Sequence, residues 1–278
     1  LITEKGKRRL KTRQRRMSEK NARHVLGISG GKDSAALAIY LKEKGTVPDI
    51  EYFFCDTGAE LKEVYDFLDQ LEAYLGQEII RLSSGKPFDH HLTVHNNFLP
   101  SPRQRWCTRE MKIKPFLEFV GDDECFSYIG IRADEDRGGY DTTLSPSKKV
   151  KPLYPFMQDG IIREDVFRIL RESVGVPEYY KWRSRSGCYF CFFQRKDEWV
   201  GLAENHPDLF KRAAQYEKYD PETGKRFAWV QGESLPELLQ RAEQIKARKK
   251  KQKDAASPSW QEQLSEGDED QACLICSL

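Results

Sequence analysis

Apolar and polar positions fall into blocks whose period changes along the chain. His24 to Ile28 (HVLGI) and Ile50 to Cys55 (IEYFFC) are short continuous apolar runs. This is the pattern of strands covered on both faces. Ala35 to Lys44 reads as the helix behind the first run. Behind the second, Leu61, Val64, Tyr65, Leu68, Leu71 and Leu75 recur at helical spacing. A short strand over Glu78 to Leu82, a loop over Arg103 to Arg109, a helix over Met111 to Val120 and a strand over Phe126 to Ile131 continue the alternation. Such an order predicts an α/β fold, a parallel sheet with right-handed crossovers and helices on both faces. Ligands then bind at the carboxyl ends of the strands. From about Gly160 helices and loops replace the alternation, and Leu235 to Lys253 reads as a charged helix before a polar tail. The expected divisions are a basic arm over 1–23, an α/β domain over 24–160, a helical region over 161–234, and a charged helix with a flexible tail over 235–278.

Charge is distributed unevenly. The net charge is only +2, but residues 1–23 hold ten Lys or Arg against two Glu, without an aromatic residue. A run of this kind binds phosphates electrostatically and without sequence preference, so nucleic acid is an expected partner. It reads as neither a signal peptide nor a membrane anchor, and no apolar run reaches the length of a bilayer span. The seven cysteines, an odd number with two C-x-x-C pairs, fit metal or redox chemistry in the cytoplasm better than a disulfide framework.

The chemistry concentrates at strand ends. Ser29-Gly30-Gly31-Lys32-Asp33-Ser34 joins the first strand to its helix. Glycines let backbone N–H groups converge on an anion, the helix N-terminus adds partial positive charge, and Ser29, Ser34 and Lys32 add donors. A polyphosphate is the natural occupant. Lys32 is followed by Asp33, so this is not a Walker A loop. Attack on the α-phosphorus of ATP would make pyrophosphate the leaving group, with charge developing on the oxygens that the loop would hold. Asp33 is the nearest carboxylate for a bridging Mg²⁺. As the opening residue of a helix, its loss should cost no more than a cap, about 0.5–2 kcal/mol.

The loop resembles the S-G-G-x-D-S signature of the PP-loop ATP pyrophosphatases, whose fold is adenine nucleotide alpha hydrolase-like. It is followed in order by Cys55–Glu60 (CDTGAE), Arg105–Pro115 (RWCTREMKIKP), Gly130–Glu135 (GIRADE) and Ser186–Cys191 (SGCYFC). This set resembles the phosphoadenosine phosphosulfate reductase family in its broad sense, and in kind the DndC- and SspD-like sulfur-transfer proteins of DNA phosphorothioation. The resemblance covers roughly residues 22–220. It implies that Ser29, Gly30, Gly31, Lys32, Asp33 and Ser34 cradle ATP with Mg²⁺, with Lys32 and Asp33 catalytic. It further implies that Asp56 and Thr57 line the nucleotide site and that Arg132 meets phosphate.

Cys107, Cys188 and Cys191 are the expected metal ligands. Reductases of this kind carry a [4Fe-4S] cluster on a Cys-Cys pair and a later C-x-x-C, but here the first pair is Trp106-Cys107. Three alternatives stay open: an open fourth iron, a ligand from Cys273 or Cys276, or a structural Zn²⁺ held by both C-x-x-C pairs. Cys55 and Cys125 read as small core residues, His90, His91 and His95 as polar loop residues, and Trp106, Trp182 and Trp199 as packing residues. The terminal E-C-G-[IL]-H context of sulfonucleotide reductases is absent. The expected function is therefore ATP-dependent adenylation of an oxygen acceptor for sulfur transfer, with DNA as acceptor. A cysteine desulfurase and other phosphorothioation proteins would be the partners. A sulfonucleotide reductase and a non-enzymatic nucleic-acid adaptor with a structural metal are the alternatives.

Overall fold

The computed structural model describes residues 22–47, 49–135, 147–219, 221, 222, 224 and 226–255. The basic arm, save its last residues, lies outside the described residues, as do Cys273 and Cys276. Five strands, β1 (Arg23–Gly27), β2 (Ile50–Cys55), β3 (Ile79–Leu82), β4 (Cys125–Tyr128) and β5 (Val150–Leu153), form one parallel sheet in the order β3-β2-β1-β4-β5. The helices between them are α1 (Lys32–Lys44), α2 (Lys62–Leu75), α3 (Phe88–Val94), α4 (Trp106–Thr108) and α5 (Lys114–Val120), with a π-helical turn (Arg109–Ile113) joining the last two. Beyond β5 come α6 (Pro155–Asp159), α7 (Arg163–Glu172), a 3₁₀ turn (Glu178–Lys181), α8 (Lys196–Asn205) and α9 (Pro207–Gln215). A two-residue hairpin, β6 (Lys218–Tyr219) with β7 (Arg226–Phe227), precedes α10 (Leu235–Gln240) and α11 (Ala242–Ala255).

Strand residues alternate between two cores. Val25, Phe53, Cys55 and Cys125 face one side and pack on Phe116 and Val120 of α5. Leu26, Tyr52, Phe54 and Tyr128 face the other, under α1 and α2. Burial on both faces explains why the central strands read as unbroken apolar runs. The stripe of α2 is buried as its spacing implied, through Val64, Leu68, Leu71 and Leu75, while Tyr65 is half-buried at the sheet end. Cys55 and Cys125 are core residues, as expected.

Four readings need correction. The segment from Trp106 is already helical, because Trp106 buries its ring on Phe88 at 5.1 Å and donates Nε1–H to the Phe98 carbonyl. Helix α3 carries His90 and His91, and His95 follows it stacked on Trp106. Strand β5 was invisible in the pattern: four residues including Pro152, which an edge strand tolerates because one side of its ladder is unpaired. The C-terminal charged helix is broken at Arg241 into α10 and α11.

Order β3-β2-β1-β4 places the chain reversal between β1 and β4, and the loop Ser29–Ser34 leaves β1 beside it. Gly30 there has φ +73°, and an added Cβ would stand 2.6 Å from Val64 Cγ1. Gly30→Ala should therefore cost about 2–4 kcal/mol in urea unfolding, from left-handed strain and overpacking together. Combined with Val64→Ala, the loss should be smaller than the sum of the two single changes.

Candidate active site

The loop is satisfied by its own hydroxyls. Ser29 N–H donates to Ser34 Oγ at 3.1 Å, Gly31 N–H to Ser29 Oγ at 3.3 Å, and Ser34 Oγ–H to the Gly31 carbonyl at 3.2 Å. Two tyrosines of the 3₁₀ turn hold it from outside. Lys32 N–H donates to Tyr180 Oη at 2.8 Å, and Tyr179 Oη–H donates to the Gly30 carbonyl. These contacts span about 150 residues of sequence, which is why the tyrosine pair carried no signal in the pattern.

Asp33 is the electrostatic centre. Its Oδ2 lies 3.0 Å from Lys32 Nζ and its Oδ1 2.9 Å from Arg132 Nη1. The Lys32 and Arg132 side chains are 3% and 1% exposed. Burial by itself would push the Asp33 carboxyl up, but the two cations outweigh it and hold the group below the usual carboxylate range. Arg132 also pairs with Asp134 at 3.1 Å and Glu135 at 3.1 Å. It therefore braces the β1 and β4 ends, with its guanidinium committed to three carboxylates. Gly130 allows the close approach: a Cβ there would lie 2.9 Å from the Asp33 carbonyl oxygen.

A cavity of about 150 Å³ opens beside this brace. Ser29, Gly31, Lys32, Asp33, Ser34 and Thr57 line one part, and Cys107, Cys188 and Cys191 another. Gly30 and Arg132 stand behind it, and Asp56 belongs to a neighbouring pocket. Asp56 Oδ1 accepts from Gly58 N–H and Tyr65 Oη–H, both at 2.8 Å, so it closes the turn after β2. Thr57 lines both pockets.

The C-x-x-C turn is closed by Cys191 N–H to the Cys188 carbonyl at 3.1 Å. Arg183 donates to the carbonyls of Gly187 and Cys188 at 2.9 and 2.8 Å, and Tyr189 N–H to that of Ala59 at 2.8 Å. Phe190 is buried in an aromatic cluster, 4.2 Å from Phe88 and 5.4 Å from Trp229 between ring centres. Buried Glu198 organises the approach to the turn, accepting from Ser184 N–H at 2.7 Å and Ser184 Oγ–H at 2.6 Å. Cys188 Sγ lies 3.1 Å from Thr57 Oγ1 and 3.5 Å from Glu60 Oε1. Burial, then the Glu60 charge, pushes its thiol well up.

Residues 23–152 match the sequence model of the phosphoadenosine phosphosulfate reductase domain. Over this segment, a little under half of its length, the chain is similar to that domain. Over 202 residues it is 27% identical to an uncharacterised protein of Methanocaldococcus jannaschii, covering 68% of this chain and 40% of that protein. It is 25% identical over 263 residues to an uncharacterised 37.8 kDa protein of Escherichia phage 186 (70% and 74%). To the tRNA-specific 2-thiouridylase MnmA of Haemophilus ducreyi it is 24% identical over 209 residues (63% and 53%). The chain thus spans about half the length of the thiouridylase and less of the archaeal protein. A crystal structure of phosphoadenylyl-sulfate reductase from Candida auris aligns with a TM-score of 0.48 and 12% identity, over 60% of this chain and 82% of that one. The family comprises enzymes that use adenine nucleotides in sulfur chemistry, and its PP-loop members bind ATP with Mg²⁺.

The loop fits a nucleotide polyphosphate. A Cβ on Gly31 would lie 3.1 Å from Ser29 Oγ and 2.9 Å from Ser186 Oγ, so only glycine leaves the cradle open. Both Asp33 oxygens are engaged by cations, so the carboxylate is a brace, and its remaining lone pairs are the ones that would hold a phosphate-bound Mg²⁺. Cys107, Cys188 and Cys191 share the cavity, while among the described residues no three His, Cys, Asp or Glu side chains are gathered as a metal site requires, and Cys273 and Cys276 lie outside those residues. Cys188 is instead turned toward Thr57 and Glu60. No helix of the described residues is long and apolar enough to cross a membrane.

Two outcomes follow for solution stability. Asp33→Asn leaves two buried cations short of a partner, so its cost should fall near the lower end of about 3–5 kcal/mol at neutral pH, because Arg132 keeps two carboxylates. This exceeds the cap-sized cost expected from sequence. In the parent, the Asp33 contribution is present above the unfolded carboxylate value of about 3.9 and is lost as pH falls through the lower folded value. Urea titrations at neutral and acid pH should show the gap between the two proteins closing. On the alkaline side, burial pushes the thiols of Cys55, Cys107 and Cys125 each up to about 11. The fold keeps protons that the unfolded chain releases, so stability should fall between about pH 9 and 11. Cys125→Ala should make that decline shallower.

Proposed function

We propose that this protein is an ATP α,β-pyrophosphatase that adenylates an oxygen acceptor on nucleic acid, so that sulfur replaces the oxygen. The observation that carries this reading is the shared cavity, with a polyphosphate loop on one side and the Cys107, Cys188 and Cys191 thiols on the other. Adenylation alone needs no thiols, and thiol chemistry alone needs no polyphosphate cradle. The acceptor oxygen forms a bond to Pα as the Pα–O bond to pyrophosphate breaks. Lys32 and the loop N–H groups hold the charge that develops on the departing pyrophosphate. Ser29 and Ser34 release each other to bind it. A sulfur nucleophile, delivered by a cysteine desulfurase as a persulfide, then displaces AMP. A second thiol cuts the remaining S–S bond and the pair leaves as a disulfide, so electrons balance.

The DNA backbone is the proposed acceptor, supported by the phosphate-seeking basic run at 1–23. Similarity to tRNA-specific thiouridylases favours a base carbonyl as the second reading. Incubation with ATP, Mg²⁺, a cysteine desulfurase, ³⁵S-cysteine and either DNA or tRNA separates them by where the label appears. The expected result is AMP and pyrophosphate in equal amounts with ³⁵S in the DNA. Lys32→Ala should lower turnover about 10²–10³-fold. Release of ADP and phosphate, or of sulfite from a sulfonucleotide with thioredoxin, would overturn the assignment.

A further inference from the structure

Arg185 is a cation lining the cavity for which no described residue supplies an acceptor. Arg183, two residues earlier, builds the C-x-x-C turn through the Gly187 and Cys188 carbonyls. Arg185 takes no part in that turn. Among the described residues its guanidinium has no hydrogen bond or ion pair, and its Nη2 is sealed from solvent without an acceptor. The side chain is held by stacking: its Cζ lies 4.7 Å from the centre of the Phe193 ring, and Arg105 Cζ lies 5.0 Å from the same centre. Arg185 and Phe193 both line the cavity. The next residue, Ser186, touches the Ser29–Ser34 loop at Gly31, so the cation is tethered within one residue of the polyphosphate cradle.

Asp33 serves Lys32 and Arg132, and Glu60 accepts from Thr57 and Cys188 through Oε1, its Oε2 being sealed without a donor. A sealed cationic N–H without an acceptor is costly, and a ligand that supplies the acceptor removes that cost. The planar guanidinium fork matches phosphate oxygens, and its stack on Phe193 pre-orients it.

We propose that Arg185, positioned by Phe193 and Arg105, binds a phosphate group across the cavity from the Ser29–Ser34 loop. The inference rests on reading the cavity as an ATP site with a nucleic-acid acceptor. The phosphate belongs to one of two sources, the nucleotide's own chain or the acceptor strand.

Equilibrium binding to the full chain tests this with α,β-methylene-ATP and with a single-stranded DNA oligonucleotide. The chains compared are the parent, Arg185→Ala, Arg185→Lys and, as a remote charge control, Arg168→Ala, whose side chain is 53% exposed on α7. Arg185→Ala should weaken one of the two ligands by about tenfold or more, as a lost charge-assisted hydrogen bond does. Arg185→Lys should recover part of the loss, and Arg168→Ala should show none. If the acceptor supplies the phosphate, the log–log salt slope for the oligonucleotide should drop by about 0.7, one phosphate's worth on a single strand. If the nucleotide supplies it, the loss should extend to pyrophosphate and spare AMP. Unchanged affinity of Arg185→Ala for both ligands would overturn the proposal. Should that variant not fold, Arg185→Gln carries the same outcomes. A parent chain that binds the ATP analogue and no oligonucleotide refutes the nucleic-acid reading and leaves the nucleotide arm to decide on Arg185. A parent chain that binds neither overturns both.

Discussion

The ion brace Lys32–Asp33–Arg132 is the interaction on which the site depends. Two cations with almost no solvent access are kept in the fold by one carboxylate, and Asp134 and Glu135 complete the shell of Arg132. Buried charges of this kind are stable only as a set, since removing one member leaves the others unpaired. The brace ties the segment after β4 to the first turn of α1, across the point where the sheet order reverses. Gly130 lets the two backbones approach closely enough for the pair to form. The shape of the Ser29–Ser34 loop is therefore set by electrostatics between two strand ends as much as by its own glycines.

The helical region after β5 completes the site. Helix α7 packs along α1, and Tyr179 and Tyr180 reach the loop as hydrogen-bond partners of Gly30 and Lys32. The C-x-x-C turn follows, fastened by Arg183 and by the Ala59 carbonyl of the β2–α2 segment. Its apolar pair, Tyr189 and Phe190, is buried, which leaves Cys188 and Cys191 toward the cavity. One aromatic cluster, centred on Phe88, Phe190 and Trp229, joins this turn to α3 and to the last helices. The thiols thus reach the Ser29–Ser34 loop through packing between regions distant in sequence.

The surroundings of Cys107 and Cys188 favour the neutral thiol. Burial disfavours the thiolate at Cys107 and Cys188, and the Glu60 carboxylate adds to this at Cys188. Lys112 opposes both effects. A ligand that adds positive charge or displaces Glu60 would shift the balance toward the nucleophilic form.

Much of this was legible in the sequence. Unbroken apolar strands, the stripe of α2 and the S-G-G-K-D-S loop at a strand end depend on local periodicity and backbone geometry, so they determined the α/β class, the parallel sheet and the place of the glycine loop. Cys55 and Cys125 could likewise be placed in the core from their apolar surroundings. Partners distant along the chain could not be read this way. Arg132 meets Asp33, and Asp56 Oδ1 accepts from Gly58 N–H and Tyr65 Oη–H, contacts that no local pattern showed. The tyrosine pair, Glu60, Glu198 and Arg185 carry no periodic or motif signal, because each acts on a group brought near only by folding. Cys107, Cys188 and Cys191 do converge on one cavity, but the hydrogen bonds of Cys188 to Thr57 and Glu60 were decided by tertiary packing. Sequence determines what a segment can form by itself, and the tertiary structure alone decides which buried charges and thiols face one another.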